Sequence, residues 1–265
     1  MRAVFWPLAA AVVGIALFGG ALAPHDPTSS IAGPWAAPGA ASPLGTDSAG
    51  RDVLSRVLAG GRGPVLTAAL AALCATAAGL WGGLVAGWRG GWPDRLLSGL
   101  ADLLMGVPFL LVAMVLAVAL PGPAAVAAAT VCGGAPLTLR VVRDTVRRLR
   151  HSGFVEAARG RGERTGAILV REVLPSVAGI AGADLGLRFV AALQTAAAIG
   201  MLGLGAQPPA PDWGLMLREN LAGAALNPPS LVAPAAALTV TALVAAVLAR
   251  RAADERSGRG AVGAW

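Results

Sequence analysis

The sequence predicts an all-α membrane protein with six transmembrane helices. Of its 265 residues, 56% are apolar and only 13% are charged, whereas a soluble domain carries about a quarter charged residues. Long uncharged stretches alternate with short arginine-rich ones, which is typical of several membrane spans. All 21 basic residues are arginine, so the chain has no lysine for a phosphate-binding loop or a Schiff base. Any ATP hydrolysis is therefore expected on another chain.

The uncharged stretches define the helices in chain order. Each is long enough to cross about 30 Å of hydrocarbon, and glycine and proline mark the breaks between them. The predicted spans are residues 3–23, 63–88, two helices within 103–139 that are divided at 121–123, residues 173–200 and residues 231–249. The first stretch also resembles a signal peptide, but cleavage would fall just before Pro24 and further spans follow. We therefore expect it to be retained as a helix.

The arginines predict the orientation, because basic residues are enriched in cytoplasmic loops. Sixteen of the 21 arginines lie on one side if the N-terminus is cytoplasmic, so both termini are expected in the cytoplasm. The pI near 11.4 is then explained by basic cytoplasmic loops that face anionic lipid, and nucleic-acid binding is not expected. The predicted organisation is a first helix with an external amphipathic segment (1–62), five helices with a cytoplasmic loop at about 144–175 (63–249), and a cytoplasmic tail (250–265).

A spaced motif lies in the cytoplasmic loop. It begins with a Glu-Ala-Ala triplet, has a glycine six residues after the glutamate, and has Leu-Pro eighteen and nineteen residues after it. The triplet alone is common in an alanine-rich chain, but the full spacing makes a chance match rare. The motif resembles the coupling loop of binding-protein-dependent ABC importer permeases. Its residues are Glu156, Ala157, Ala158, Gly162, Leu174 and Pro175.

A second segment, residues 43–56, narrows the resemblance. It is similar to the segment before span two in the C-type permease subunit of dipeptide, oligopeptide and nickel importers. Its motif residues are Gly45, Thr46, Asp47, Gly50, Arg51 and Asp52. Residues 90–95 with Asp102 and Pro108, residues 202–209 and residues 211–214 agree with the same subunit. The resemblance covers about 43–217 and implies the type I ABC importer permease fold.

The resemblance implies one half of an import path for short peptides in a bacterial inner (plasma) membrane. The implied partners are a B-type permease subunit, two cytoplasmic ABC ATPase subunits, an extracytoplasmic substrate-binding protein and the lipid bilayer. ATP and Mg would be bound by the ATPase subunits, so this chain is expected to bind no cofactor and to be no enzyme. Nickel or a metal chelate is the alternative cargo. Family members usually carry a glutamate where Ala196 stands, and Met201 replaces a phenylalanine.

An ion-coupled secondary transporter is a more distant alternative. Such proteins commonly have inverted repeats and intramembrane carboxylates, but the two halves of this chain show no convincing repeat and the spaced motif would have no role. No metal site is assigned, because the candidate ligands lack partners and the two cysteines are interpreted as packing residues. These residues are His25, His151, Cys74 and Cys132.

The coupling loop is expected to contain two short helices joined at Gly162, with Pro175 ending the second one where span five begins. The small side chains of Ala157 and Ala158 would let the first helix fit closely in a groove on an ATPase. Glu156 would pair with a basic residue there, or cap a helix. The alternative is that Glu156 only neutralises neighbouring arginines, which are themselves interpreted as positive-inside residues.

On the outer side, a short amphipathic helix beginning near Ser48 is expected to place Asp52 and Arg56 one turn apart. It would direct its apolar side chains, at Val53, Leu54, Val57 and Leu58, to the bilayer or the partner permease, and its charges to water. Direct contact with the substrate-binding protein is the alternative role.

Five polar residues are the candidates within the membrane, where ionisable groups are costly to bury and often functional. Asp184 and Arg188 are four residues apart and either pair with each other or contact the cargo. Asp102 is expected near the cytoplasmic end of span three. Gln194 and Thr195 either line the pore or form hydrogen bonds between helices.

Overall fold

The computed structural model describes the backbone of residues 2–262 and the side chains of residues 6, 7 and 9–251. Within that part of the chain there are α-helices and isolated β-bridges but no β-strand, so the predicted all-α class is confirmed. The end of the predicted cytoplasmic tail, residues 263–265, lies outside the described residues. The helices are α1 (Arg2–Phe18), α2 (Val53–Ala59), α3 (Arg62–Arg89), α4 (Gly91–Gly106), α5 (Phe109–Ala119), α6 (Gly122–Leu149), α7 (Gly153–Gly160), α8 (Thr165–Ile168), α9 (Leu174–Met201), α10 (Trp213–Asn220) and α11 (Pro229–Val262).

Four continuous helical stretches are long and apolar enough to cross a membrane: Val53–Arg89, Gly122–Leu149, Thr165–Met201 and Pro229–Arg251. A fifth candidate is the pair α4 and α5, which are bent by 93° at a short break. The first predicted span coincides with α1 and the 3₁₀ turn after it, and its described apolar stretch, Ala9–Leu22, is shorter than a full span. Four to five spans are thus present by length and composition, and the number six remains a prediction.

The third predicted span begins in the wrong place. Its first residues belong to α4, which ends at Gly106, and Pro108 separates α4 from α5. Proline disfavours the helical conformation in the residue before it, and Val107 is accordingly extended, with φ −93° and ψ 132°. Asp102 therefore lies in α4, before the bend, and not in a straight span.

The predicted helix end at Pro175 is also wrong. The chain stays helical from Thr165 to Met201, through a π-helical turn at Leu169–Val173 that lies immediately before α9. Proline has no N–H to donate to the carbonyl four residues earlier, and a π turn changes the hydrogen-bond pattern at that point. This irregular turn lets the helix continue past Pro175.

The chain forms two compact units, which are described separately. The first contains the residues up to Leu70, Ala113–Ala127 and Phe189–Ala245, and it includes the motif segment 43–56. The second contains Ala71–Val112, Ala128–Arg188 and the residues from Ala246 onward, and it includes the loop at 144–175.

Close helix packing organises the second unit. Gly79, Gly83 and Gly87 recur every four residues on α3 and face α6. A Cβ at Gly83 would lie 2.6 Å from the Cβ of Val142, and one at Gly87 would lie 2.8 Å from the Cβ of Val146. Small residues at this spacing let two helix backbones approach closely. The adjoining core contains Leu84, Val142, Val146, Val155, Ala158, Ile168, Val173 and Val177.

Candidate functional site

The motif segment 43–56 folds around a buried network of two carboxylates and two guanidinium groups in the first unit. Asp47 and Arg56 are completely buried, and Arg51 and Glu219 are nearly so. The Asp47 Oδ2 atom accepts hydrogen bonds from Arg51 Nε at 2.8 Å and from Arg56. Glu219 pairs with Arg51 at 3.0 Å and with Arg56 at 2.9 Å. The two positive and two negative charges balance, which a buried cluster of ions requires.

This network corrects the prediction of an amphipathic helix with charges in water. The helix α2 begins at Val53 and not near Ser48, because the Asp52 carboxylate caps it and accepts the Ser55 backbone N–H at 3.1 Å. Arg56 faces inward with Val53, while Val57 and Leu58 are half-buried. The charges were expected to face water because spacing along the chain does not reveal a distant acidic partner.

Asp52 is held in its ionised form by several donors. Burial raises the pKa of its carboxyl, but hydrogen bonds from Ser42, Ser55 and His25 outweigh burial and lower that pKa below its ordinary value. The Ser42 and Ser55 hydroxyls each donate to the carboxylate at 2.6 Å, and His25 Nδ1 lies 3.3 Å from it. His25 is thus a partner of the cap.

Residues far along the chain hold the motif segment in place. The Asn220 side-chain oxygen accepts the Ser48 backbone N–H at 3.0 Å, and the Asn227 side chain donates to the carbonyls of Leu44 and Thr46 at 3.1 and 2.9 Å. The left-handed φ of Gly45 and Gly50, +71° and +76°, shapes the segment between these contacts. These asparagines hold residues 44–48 against the end of α10 and the segment that follows it.

Sequence analysis missed Glu219, Asn220 and Asn227. Only the neighbouring Asp212-Trp213-Gly214 stretch was singled out from the sequence. In the structure Trp213 packs on α2 and donates its indole N–H to the Val57 carbonyl at 2.8 Å, so this stretch does lie against the motif segment. Nothing in the local pattern around the three missed residues indicates which charges or amides they face.

A cavity of about 230 Å³ lies elsewhere in the first unit. Its lining includes Thr67, Ala196 and Asp212, and most of the other lining residues are small or apolar. Burial raises the pKa of Asp212, although its carboxylate also accepts the backbone N–H groups of Gly214 and Leu215 as the cap of α10. Ala196, which stands where family members usually carry a glutamate, thus lines the cavity with a small apolar side chain. Asp212 supplies a carboxyl group to the same lining.

In the second unit, α7 carries the Glu-Ala-Ala triplet on two different faces. Val155 and Ala158 are completely buried in the core, whereas Glu156 and Ala157 are exposed. The expectation that both alanines are available to a partner is therefore wrong for Ala158. The helical repeat places residues three apart on one face, so Ala158 shares the inward face of Val155.

Gly162 ends α7 in a Schellman motif. Its φ is +76°, its N–H bonds to the Arg159 carbonyl at 2.9 Å, and the Glu163 N–H bonds to the Ala158 carbonyl at 3.2 Å. The short helix before this glycine, α7, is as expected, whereas α8 is the first turn of the continuous helix Thr165–Met201 and not a separate short helix. The predicted turn at Gly162 thus has a defined, backbone-bonded geometry.

The other motif residues of the loop differ in exposure. The Glu156 side chain forms no hydrogen bond or ion pair with any residue in the described part of the chain. Leu174 packs against the core cluster, and Pro175 is exposed. The exposed set of the motif is therefore Glu156, Ala157, Gly162 and Pro175.

Three arginines of α6 make specific contacts with α4. Asp94 bonds to both Arg143 and Arg147, and Asp102 pairs with Arg140. The Asp94 side chain is largely shielded from solvent, whereas Asp102 and Arg140 are exposed. Interpreting these arginines only as positive-inside residues was therefore incomplete, because they also hold α4 against α6.

Asp184 and Arg188 pair with each other, which was one of the two expected roles. Arg188 Nε and one terminal nitrogen lie 3.1 and 3.0 Å from Asp184 Oδ1. The second carboxylate oxygen accepts the hydroxyls of Thr138 at 2.6 Å and Thr76 at 3.2 Å. This polar cluster joins α3, α6 and α9 within the second unit.

The remaining intramembrane candidates show no bond between helices. The hydroxyl of Thr195 is buried and donates to the Ala191 carbonyl of its own helix at 2.8 Å. Gln194 is exposed on the neighbouring position of α9. Of the two, only Gln194 presents its side chain to the surroundings.

The fold and these sites define a multi-span helical membrane protein with ordered polar segments between its spans. Over residues 79–256 the chain matches the family of binding-protein-dependent transport system inner membrane components, and it belongs to that family. It is therefore an ABC importer permease and a multi-pass inner membrane protein, a transport component and not a catalytic enzyme. The family resemblance seen in the sequence motifs is confirmed. The motif segment 43–56 precedes the matched residues.

Relatives of known name agree with this family. The chain is 35% identical over 207 residues to the glutathione transport system permease protein GsiD of Pectobacterium atrosepticum, covering 78% of this chain and 69% of that protein. It is also 35% identical over 201 residues to the proteins of that name from Escherichia coli and Shigella boydii, covering 76% of this chain and 66% of theirs. The chain thus spans about two thirds of the length of these relatives.

Proposed function

We propose that this permease forms half of the transmembrane path of an ATP-driven importer of short peptides. A B-type permease subunit would form the other half, and an extracytoplasmic binding protein would deliver the cargo. Two cytoplasmic ATPase subunits would bind ATP and Mg, one of them contacting the loop at 144–175. The arginine asymmetry supports an orientation with this loop and both termini in the cytoplasm.

The geometry of α7 is the observation that carries the proposal. Its inward face, Val155 and Ala158, packs in a core built by α6 and α9, while Glu156 and Ala157 stay exposed. A displacement of α7 would therefore be transmitted to two long helices through close-packed side chains, which deform little. The Schellman motif at Gly162 holds the end of α7 by backbone bonds.

The transport cycle follows from this connection. ATP binding would bring the two ATPase subunits together and push α7, and α6 and α9 would move with it and open the path outward. Hydrolysis would release the ATPases and return the path to its inward-facing state. Glu156, which has no partner within the described chain, supplies a charge for a basic residue on the ATPase.

Short peptides are the proposed cargo. The relatives named for glutathione transport support this choice, because glutathione is itself a short peptide. The binding protein would select the cargo, so the path itself needs little selectivity. Nickel or a metal chelate remains the alternative cargo for this subfamily, and the uptake experiment below distinguishes the two.

Affinity purification of the tagged chain from native membranes tests the coupling role. Wild type is expected to retain a second permease and two ATPase subunits, and Glu156→Arg is expected to lose the ATPases. Asp26→Arg is the matched control, because it reverses another exposed acidic charge that forms no ion pair within the described residues and lies outside the loop at 144–175. Equal ATPase recovery from wild type and Glu156→Arg would refute a coupling role for this residue.

Uptake into proteoliposomes tests the cargo and the energy source. The assembled importer is expected to accumulate labelled di- and tripeptides when ATP and the binding protein are present, and not to accumulate radioactive nickel. Nickel uptake without peptide uptake would assign the alternative cargo. Transport by the purified chain alone on an ion gradient would refute the importer mechanism.

A further inference from the structure

An apolar groove in the second unit lies beside the core cluster, and the transport cycle proposed above assigns it no ligand. It has a volume of about 170 Å³ and lies between α3 and the continuous helix that begins at Thr165. Large apolar side chains form its walls, with Leu84 of the core cluster among them. The other apolar lining residues are Trp81, Val85 and Trp88 on α3, and Leu169, Val170 and Leu174 on the opposite helix.

The groove is open to its surroundings on both walls. Trp81 is 62% exposed and Val170 is 61% exposed, although both side chains are strongly apolar. Leu84, in contrast, is only 5% exposed and belongs to the core cluster. The groove therefore offers a long apolar ligand a closed floor and two open walls.

Three arginines lie near the C-terminal end of α3, beside the groove. Arg89 lines it, and the guanidinium carbon of Arg159 lies 5.3 Å from the centre of the Trp88 ring. A guanidinium nitrogen of Arg150 is 4.0 Å from the position that a Cβ on Gly90 would occupy, directly after Arg89. Between residues 9 and 251, where side chains are described, none of these three arginines forms an ion pair with an acidic residue.

The acidic residues nearest in sequence form no ion pair with these arginines. Asp94 pairs with Arg143 and Arg147, and Glu163 pairs with Arg161. Glu156, three residues before Arg159, does not line the groove and forms no ion pair within the described residues. The end of the groove is therefore a concentration of uncompensated positive charge next to an apolar channel. A ligand that satisfies both parts needs an anionic head and a hydrocarbon tail.

We propose that this groove binds an anionic phospholipid. Part of one acyl chain would lie between the walls, and the phosphate would bond to Arg89, Arg150 and Arg159, since arginine forms paired hydrogen bonds to phosphate oxygens. The position agrees with this ligand, because α3 ends the candidate span Val53–Arg89 and Trp88 and Arg89 are residue types typical of a membrane interface. A protein partner would need acidic groups at one end and an apolar ridge beside them to match the same surface.

Photolabelling of the full-length chain tests the proposal. The protein, purified with the importer subunits that accompany it, would be placed in nanodiscs of phosphatidylcholine and phosphatidylglycerol. Trace amounts of either lipid with a diazirine on one acyl chain would then be activated by light. The phosphatidylglycerol probe is expected to label the peptides at Trp81–Arg89 and Leu169–Leu174 more strongly than the phosphatidylcholine probe does.

Three variants give the expected result its specificity. Replacing Arg89, Arg150 and Arg159 with glutamine is expected to lower phosphatidylglycerol labelling by about fivefold for each arginine removed. Val170→Trp, which fills the groove, is expected to lower labelling by both probes. The matched control replaces three other arginines that form no ion pair within the described residues, and it is expected to label like wild type. These control residues are Arg95, Arg148 and Arg164.

Two results would overturn the proposal. Equal labelling by the two probes would show that the arginines do not select an anionic headgroup. Labelling that is present in the isolated chain but absent once the other importer subunits are bound would assign the groove to a subunit interface.

Discussion

Replacing Asp47 with asparagine removes one charge from the buried network while nearly keeping the shape of the side chain. The amide oxygen can still accept the backbone N–H groups of Ala49 and Arg51, which donate to the Asp47 carboxylate at 2.8 and 2.9 Å. The loss is therefore confined to the ion pairs with Arg51 and Arg56. Glu219 would remain as the single carboxylate facing two guanidinium groups.

The expected cost follows from this charge balance. One positive charge is left without compensation at a site where Asp47 and Arg56 are completely buried, and breaking such a buried pair costs about 3 to 5 kcal/mol. Since about 1.4 kcal/mol corresponds to a factor of ten, local opening becomes easier by about two to three and a half orders of magnitude. Hydrogen exchange of residues 45–58, which include the Val53 N–H bonded to the Gly45 carbonyl, measures this opening.

Two companion variants make the measurement decisive. Asp26→Asn neutralises an exposed carboxylate that accepts hydrogen bonds from the backbone N–H and the hydroxyl of Thr28, and it is expected to change stability by less than about 0.5 kcal/mol. Asp47→Asn combined with Arg56→Met restores charge balance through the remaining Arg51–Glu219 pair, so it is expected to cost less than Asp47→Asn alone. If Asp47→Asn lost no more protection than Asp26→Asn, the network would not be holding the motif segment.

Four further outcomes are expected. Because the pKa of Asp52 is lowered in the folded state, the ionised carboxylate stabilises the fold fully above its unfolded pKa of about 3.9. Hydrogen exchange at α2, corrected for the intrinsic pH dependence of exchange, should therefore stay constant from neutral pH to about pH 5 and rise only below about pH 4. Asp184→Asn and Arg188→Met should each lower the melting temperature in detergent more than the double variant does, because each single change leaves an unpaired charge. Gly162→Ala should weaken the end of α7 by about 1 to 2 kcal/mol, measured by hydrogen exchange, because φ is +76° there. Gly83→Ala should lower the melting temperature by separating α3 from α6, at a cost of about 1 to 3 kcal/mol.

Two glycine variants serve as controls, and each prediction has an outcome that would contradict it. Gly99→Ala meets nothing within 4 Å and lies inside α4, so it should be neutral or slightly stabilising; an effect as large as that of Gly83→Ala would contradict the close packing of α3 on α6. Gly166→Ala, in open space in α8, is the control for Gly162. An increase in exchange at α2 between pH 7 and pH 5 would contradict the bonding of Asp52. A double variant at 184 and 188 as unstable as both singles combined would exclude their pairing.

Several features of the second unit were predictable because their determinants are local. Gly162 follows a short helical stretch, and a glycine at that place favours the left-handed conformation that ends a helix. Asp184 and Arg188 are four residues apart, so a helix brings them together whatever the tertiary structure is. The orientation of Ala158 was not predicted, because which side of α7 is buried depends on the position of α6 and α9.

The motif segment illustrates the opposite case. A short exposed amphipathic helix was predicted to begin near Ser48, yet Arg51 and Arg56 are buried against Glu219, which is more than 160 residues away. No local sequence pattern around Glu219 indicates that it pairs with Arg51 and Arg56. The 93° bend at Pro108 was not predicted either, because the uncharged run from residue 103 was interpreted as the start of one straight span.

The sequence by itself determined that this chain is an all-α membrane protein, and its spaced motifs determined the family, because hydropathy, charge segregation and glycine or proline positions act over a few residues. Only the tertiary structure decided which charges are buried together, which face of α7 is available, and where the apolar groove and its arginines meet. Ion pairs and cavities form between segments that are distant in the chain, and their energies depend on distance and burial, which a sequence does not specify.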